Sequence, residues 1–398
     1  MSLEIKGLGK EIEDKLIEYR RYFHENPELS QEEEHTSKTI QEFLDEHDIP
    51  YETGFATHGI LAIIEGEKEG KTIALRGDMD ALPIDEKTGL PYASKKEGVM
   101  HACGHDAHTA MLMGVALILK KKQDKLPGKV LLVFQPAEEL SPIGGAEDMM
   151  KDGVFSKHKP DAIFAQHAQP ELEVGEVGVL SGPVQANSDR FKITIKGEGG
   201  HASKPHQGKD AIVVAGQVIS DLQTIISRSV DPLESAVLTL GEIHGGKRYN
   251  VLPGEVTIEG TLRTYKDDVK ETARSRMEDI LSGLEEAMGV TIQLEYLDGY
   301  PAVVNSKEWE ETLRSSVEKI VGQKSMPEVK PSLGGEDFGR FLEEYPGFFY
   351  WIGTAIPGRE RQKPLHDEEF EFNEDTLVPG TEIMAQLAVD ALENLAQE

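Results

Sequence analysis

The sequence predicts an α/β protein with a largely parallel sheet and a smaller inserted domain, and three observations carry that expectation. Its 398 residues exceed one ordinary domain, so the chain divides. Short apolar runs alternate with helical stretches up to Ala165, the pattern of strands crossed by helices. From Asp189 to Leu294 the order changes to strand, helix, two strands, helix, strand, the ferredoxin-like βαββαβ arrangement.

Taken in order, Ile12, Leu16, Tyr19 and Phe23 recur at helical spacing, and the turn His24-Glu25-Asn26-Pro27 stops that helix at its proline. A second amphipathic helix surrounds Phe43. Residues 60–64, 72–75, 130–134 and 162–165 read as strands, with helices near 109–120 and 146–150. In the inserted segment, strands are expected at 191–195, 236–240, 256–262 and 290–294, and helices at 211–226 and 269–288. After Gly299-Tyr300-Pro301 come more helix, a strand at 348–352 and a closing helix to Leu395. Insertions enter at surface loops, so residues 1–187 and 299–398 are expected to form one discontinuous domain around an inserted domain at 188–298.

With 38% hydrophobic and 29% charged residues, the composition is globular and excludes collagen-like, disordered and disulfide-stapled classes. Forty-two basic against 72 acidic residues give a net charge of −30, a field that repels nucleic acid and anionic membranes and leaves cations and small molecules as partners. The lone Cys103 suits a reducing compartment. No apolar run approaches the roughly 20 residues of a membrane span, and residues 1–14 show no signal-peptide pattern, so a cytoplasmic location is expected.

The segment His101-Ala102-Cys103-Gly104-His105-Asp106-Ala107-His108 concentrates three imidazoles and the only thiol. In an extended segment, side chains two apart share a face, so Cys103 and His105 point at one ion, and a thiolate with an imidazole suits zinc or a similar ion. The competing reading is a buried structural cysteine beside helix-start histidines; His101 and His108 individually read as residues supporting the ligands or lying on the surface. Glu138 and Glu139 follow the strand 130–134, where open α/β sheets bind ligands; one carboxylate is suited to ligate and the other to act as general base. His167, after a strand, and His366 complete five donors of the types expected for two ions. Asp78 and Asp80 are placed to orient them.

Arg76-Gly77-Asp78-Met79-Asp80-Ala81-Leu82-Pro83, the 101–108 segment, Pro136-Ala137-Glu138-Glu139, Gly199-Gly200-His201-Ala202-Ser203 and Tyr249-Asn250-Val251-Leu252-Pro253 resemble the metal-dependent amidohydrolases of the aminoacylase family. Hippurate hydrolases and auxin-conjugate hydrolases are its relatives. Residues 24–30, Gly260-Thr261-Leu262-Arg263-Thr264 and Gly335-Glu336-Asp337-Phe338 extend the match along nearly the whole chain. The resemblance implies a metallopeptidase-like catalytic domain with an inserted lid that often forms a homodimer, and hydrolysis of an N-acyl amino acid. It makes Cys103, His105, Glu139, His167 and His366 the ligands of two divalent ions (Zn²⁺ or Mn²⁺) and Glu138 the catalytic base. His201, Asn250 and Arg263 go to the substrate side, His201 to the oxyanion and the arginine fork to a carboxylate. One departure is Gln169, where an aromatic residue is expected before Pro170. Three rivals stand beside this reading: a dipeptidase or carboxypeptidase with the same metal centre, a Cys103 nucleophile activated by His105, and a non-catalytic metal- or peptide-binding module.

Overall fold

The computed structural model describes residues 3–397. Two compact units emerge: one holds the chain up to Val184, Val304–Pro331 and the chain from Asp337, the other Gln185–Val303 and Ser332–Glu336.

The first unit is built on a seven-stranded sheet of β1 (Tyr51–Phe55), β2 (Gly59–Glu65), β3 (Lys71–Asp78), β4 (Gly128–Gln135), β5 (Ala162–Gln169), β6 (Val177–Gly178) and the strand Gly347–Gly353. Across the sheet the order is β1-β2-β4-β3-β5, then Gly347–Gly353, then β6. The four central strands β4, β3, β5 and Gly347–Gly353 run parallel, whereas β1, β2 and β6 are antiparallel additions at the margins. Central strands buried on both faces read as unbroken apolar runs, and Val130, Leu131, Leu132, Val133 and Phe134 are all fully buried. Helices α1 (Glu13–Glu25), α2 (Glu34–Glu46), α3 (His105–Lys121) and α4 (Gly145–Lys151) join Glu310–Ile320 and the closing helix Leu377–Leu395 around it. Helix α3 and the closing helix pack on β3 and on each other, which is why both are apolar nearly all round. No helix among the described residues is long and apolar enough to cross a membrane.

Two departures from the sequence pattern matter. Strand β5 continues beyond the apolar run to Gln169, so His167 lies inside the strand instead of after it. Its polar residues are accommodated by specific partners: Tyr350 donates its hydroxyl to Gln166 Oε1 at 3.2 Å, and Gln166 Nε2 reaches Met111 Sδ at 3.3 Å. Strand β1 is short and mixed in composition; β2 supplies the pairing that its own sequence does not announce.

The second unit follows the βαββαβ order: Asp189–Lys196, Ala211–Arg228, Ala236–Gly245, Glu255–Thr264, Asp267–Met288 and Thr291–Leu297. Its antiparallel sheet runs Ala236–Gly245, Glu255–Thr264, Asp189–Lys196, Thr291–Leu297. Burial alternates along Glu255–Thr264, because one face meets both helices in a core containing Phe191, Ile193, Val218, Ile258 and Met277. Asp210 caps the first of these helices, accepting from Ile212 N at 3.0 Å.

A fully buried Arg76 on β3 ties that strand to β4 and to Asp337. Its Nε donates to Gln135 Oε1 at 2.8 Å, Nη2 donates to Asp337 Oδ1 at 3.0 Å, and Nη1 pairs with Asp78. Removing one member of a buried ion network strands the others, at a cost of about 3–5 kcal/mol. Arg76→Met should lower the unfolding free energy by about that amount. Urea denaturation measures it, and a loss below about 1 kcal/mol would show that Asp78 and Asp337 do not depend on this guanidinium.

Candidate metal centre

Donor atoms come from the turn before α3, from the turn after β4, from within the end of β5 and from a later loop. Gly104 adopts the left-handed region (φ 87°), and a Cβ there would stand 3.1 Å from Ala168 Cβ. Only glycine permits both the conformation and the approach. This corrects the extended geometry expected for the pair: Cys103 sits in the turn and His105 is the first residue of α3, so a left-handed glycine, not strand alternation, brings them together. The donor atoms of Cys103, His105 and Glu139 lie within 4.8 Å of one another. Cys103 Sγ is 3.5 Å from His167 Nε2, and Glu139 Oε1 is 3.1 Å from His366 Nε2. All five candidate ligands therefore form one connected cluster in the first unit. His366 arrives on a loop, itself left-handed (φ 66°) and tied by its N–H to Ala102 O at 2.8 Å. Its side chain is 51% exposed, the open side of an otherwise buried group.

Hydrogen bonds leave the imidazoles ready to ligate. His105 Nδ1 donates to Asp80, at 3.0 Å to its carbonyl and 3.2 Å to Oδ1, while the buried Nε2 has no hydrogen bond. His167 Nδ1 donates to Ala168 O at 2.9 Å, leaving Nε2 toward the thiol. In both rings Nδ1 is engaged by an acceptor, which leaves Nε2 as the nitrogen directed to a metal once any proton on it is displaced. A second group, Asp78, His105, His108 and His167, is equally compact. Its other members are occupied: His108 Nδ1 donates to Asp78 Oδ1 at 2.6 Å, His108 Nε2 accepts from Ala168 N at 2.9 Å, and Asp78 also pairs with Arg76. His108 and Asp78 are therefore taken up by each other, Ala168 and Arg76.

Charge in the pocket is balanced by protons that a cation would replace. Burial pushes the Cys103 thiol well above its ordinary pKa, and Glu139, Glu138 and Asp78 push the same way. Burial opposes a charge on His105, but Asp78, Asp80 and Glu139 outweigh it and hold the ring up at about 10. Burial and then the neighbouring His108 drive His167 well down, to the neutral form. A thiol, two Nε2 atoms and a carboxylate in so little water fit a divalent cation, which favours the thiolate and the neutral imidazole.

Glu138 diverges from its neighbour. Ala137 is left-handed (φ 56°), and helix α4 backs the turn so closely that a Cβ on Gly145 would lie 1.8 Å from Pro136 O. Glu138 is buried, and its carboxylate lies within 4.8 Å of that of Asp337, outside the Cys103–His105–Glu139 group.

In the second unit, His201 is exposed and its Nδ1 accepts from Ser203 N at 3.1 Å. It pairs with Val251, so it neighbours Asn250, whose buried Oδ1 has no hydrogen-bond partner. Arg263 lies half-buried on the separate, larger sheet, where Nη1 reaches Leu333 O at 3.5 Å. No sequence signal singled out Glu33, and Asp337 stood only within the 335–338 segment; His108, expected as a supporting or surface residue, is buried and paired with Asp78. A histidine one turn after His105 on a buried helix was the only signal for His108.

The family model described as Peptidase family M20/M25/M40 matches residues 74–390. An N-acetyl-L-cysteine deacetylase of Bacillus subtilis is 42% identical over 383 residues, 96% of this chain and 89% of that protein. An N-acyl-L-amino acid amidohydrolase of Geobacillus stearothermophilus is 43% identical over 305 residues, 77% of this chain and 82% of that one. Among solved structures, a dinuclear metal binding peptidase of the M20 family from Bacillus subtilis superposes with a TM-score of 0.85 at 36% identity, covering 96% of this chain and 99% of its own.

Cys103→Ser should lose bound metal, because a hydroxyl is a far poorer anionic ligand than a thiolate at neutral pH. Elemental analysis of the folded variant checks it, and unchanged metal content would remove the thiol from the ligand set.

Proposed function

The chain belongs to peptidase family M20/M25/M40, and from that premise we propose that it is a metal-dependent amidohydrolase cleaving N-acyl amino acids to a free amino acid and a carboxylic acid. The observation that carries this reading is the divergence of two adjacent carboxylates: Glu139 joins the thiol and imidazoles, and Glu138 stays buried beside them.

On this reading two divalent ions, Zn²⁺ or Mn²⁺, are held by Cys103, His105, Glu139, His167 and His366. When bound they supply Lewis acidity, polarising the amide carbonyl and acidifying water. Glu138 accepts a proton from the attacking water and delivers it to the leaving amine, the two halves of general acid–base catalysis. His201 and Asn250 are assigned to the substrate, with His201 stabilising the developing oxyanion. Arg263 makes no ion pair among the described residues, which supports a guanidinium kept for the substrate α-carboxylate. A small molecule is the only substrate proposed, with neither nucleic acid nor membrane as partner. Homodimerisation through the second unit and a cytoplasmic location complete the proposal. Exposed Ile243, Tyr249 and Val251 on the second unit support the dimer, and the unpaired Cys103 suits the location.

Glu138→Gln keeps shape but cannot take the proton, so kcat should fall by at least about 10²–10⁴-fold with metal content unchanged. Glu139→Gln should instead lose metal. Measuring kcat beside metal stoichiometry decides it: a metal-replete Glu138→Gln enzyme with normal kcat would end the assignment.

Arg263→Ala should raise KM strongly for N-acyl amino acids and little for their amides, which lack the anion. An equal loss on both would exclude carboxylate recognition. Running acetyl, benzoyl and dipeptide substrates together also separates the alternative, since turnover confined to dipeptides would make the enzyme a dipeptidase.

A further inference from the structure

We propose that Glu33 is a positioning residue for Glu138, its buried carboxyl holding the backbone N–H of Ala137 and so fixing the turn from which Glu138 projects. The proposal rests on the assignment of Glu138 as base. Glu33 immediately precedes α2, far from β4 in the chain, yet its side chain is fully buried. Its Oε1 accepts the Ala137 N–H at 2.7 Å. Ala137 occupies the left-handed region, which an alanine adopts only when its surroundings hold it there. The turn is held from its carbonyl side as well, since Ala137 O accepts from Gly145 N at 2.9 Å.

A second carboxylate acts one residue beyond Glu138. Asp80 Oδ2 accepts from Glu139 N at 2.9 Å and from Ser30 Oγ at 2.6 Å, while Asp80 Oδ1 faces His105. The amides on either side of Glu138 are therefore each bound by a buried carboxyl group from a different segment. Asp80 faces the candidate ligand His105; Glu33 hydrogen-bonds none of the candidate ligands, and its carboxyl also lies by its own amide and that of Gln31, so it braces the Ala137 turn against the segment before α2.

Packing alone does not account for Glu33. Its Oε2 is buried with no hydrogen-bond partner, a costly state that leucine or methionine would avoid at similar volume. Burial, and then the charge of Asp80, raise its carboxyl to about 8, so at neutral pH it is mostly an uncharged acid. Glutamine then reproduces both its shape and its acceptor, and leucine reproduces only its bulk.

The metal-loaded full chain is compared as wild type, Glu33→Gln, Glu33→Leu, Glu33→Asp and Glu138→Gln, with kcat, KM and metal stoichiometry read together. Hydrogen exchange at the Ala137 amide is followed in the metal-free protein. Misplacing a catalytic group by about 1 Å costs on the order of 10²-fold, so Glu33→Leu should lose about 10- to 100-fold in kcat with KM within about twofold and metal content unchanged. Its Ala137 amide should exchange at least about tenfold faster, having lost its acceptor. Glu33→Gln should restore both readouts to within about threefold of wild type, a rescue that a merely volumetric role would not produce. If Glu33→Leu does not fold, Glu33→Asp carries the test, because the shorter side chain withdraws the acceptor. Normal kcat and unchanged Ala137 exchange in the folded variant overturn the proposal, as does equal impairment by glutamine and leucine. Normal turnover in Glu138→Gln overturns the base assignment instead, whereas a dead Glu138→Gln beside a fully active Glu33→Leu removes only the role of Glu33.

Discussion

Charge gathered where water is scarce is the constraint on which this structure turns. Asp78, Asp80, Glu138 and Cys103 are buried together at the carboxyl ends of parallel strands. An unpaired carboxylate taken out of water costs several kcal/mol, so each must find a counter-charge or a proton. The chain answers in two ways. Asp78 and Asp337 are neutralised by Arg76 and hydrogen-bonded by His108 and Gln135, a closed network that needs nothing from outside. Cys103, His105, Glu139, His167 and His366 are left facing one another, and only cations can complete that side without protonating it. On the proposed ligand assignment, metal occupancy and the stability of this end of the sheet are linked.

The same constraint explains the scaffolding around the donors. Three of the five, Cys103, Glu139 and His366, are delivered by turns or loops, which alone hold side chains loosely. Polar bonds to other segments anchor these turns and the start of α3. Asp106, next to His105, pairs with buried Arg20 at 2.9 Å and His24 at 2.8 Å, which pins the first turn of α3 to α1. Burial opposes the Asp106 charge, yet Arg20 and His24 hold its carboxyl far below the usual range. His366 is tied to Ala102, and Glu139 to Asp80. Geometry at the centre is thus inherited from buried pairs that lie outside it.

How much of this was legible in the sequence follows from what each signal depends on. The solid apolar run of β4 and the alternation along Glu255–Thr264 are local properties, so the α/β core and the βαββαβ order could be read directly. Strand β1 and the polar end of β5 depend on partners elsewhere, β2 for one and Tyr350 for the other, and no local pattern reveals them. At the site, Cys103 and His105 announced themselves by spacing and Gly104 by the tight backbone it permits, though not its left-handed turn, which replaces the extended geometry expected. A lone loop histidine such as His366 is weak by itself and gained meaning only within the set of five donors and from resemblance, because its neighbour Glu139 comes from a remote part of the chain. Glu33 stood in a run of acidic residues that reads as solvated surface, and only burial distinguishes it.

The acidity of the whole chain bears on what the site can select. A net charge of −30 places any anionic substrate in an unfavourable field, yet mobile salt screens that field within about 8–10 Å. Recognition of an α-carboxylate must therefore be short-ranged and come from a group shielded from the acidic surface. Half-buried Arg263 meets that condition: burial works against its charge, Asp189 supports it, and a guanidinium stays protonated through such a shift. Long-range steering would help polycationic partners and slow polyanionic ones, whereas a small mono-anionic amide pays little to approach and gains its affinity on contact. On the proposed reading, the acidic surface and the guarded arginine act as successive filters, the first on total charge and the second on one carboxylate.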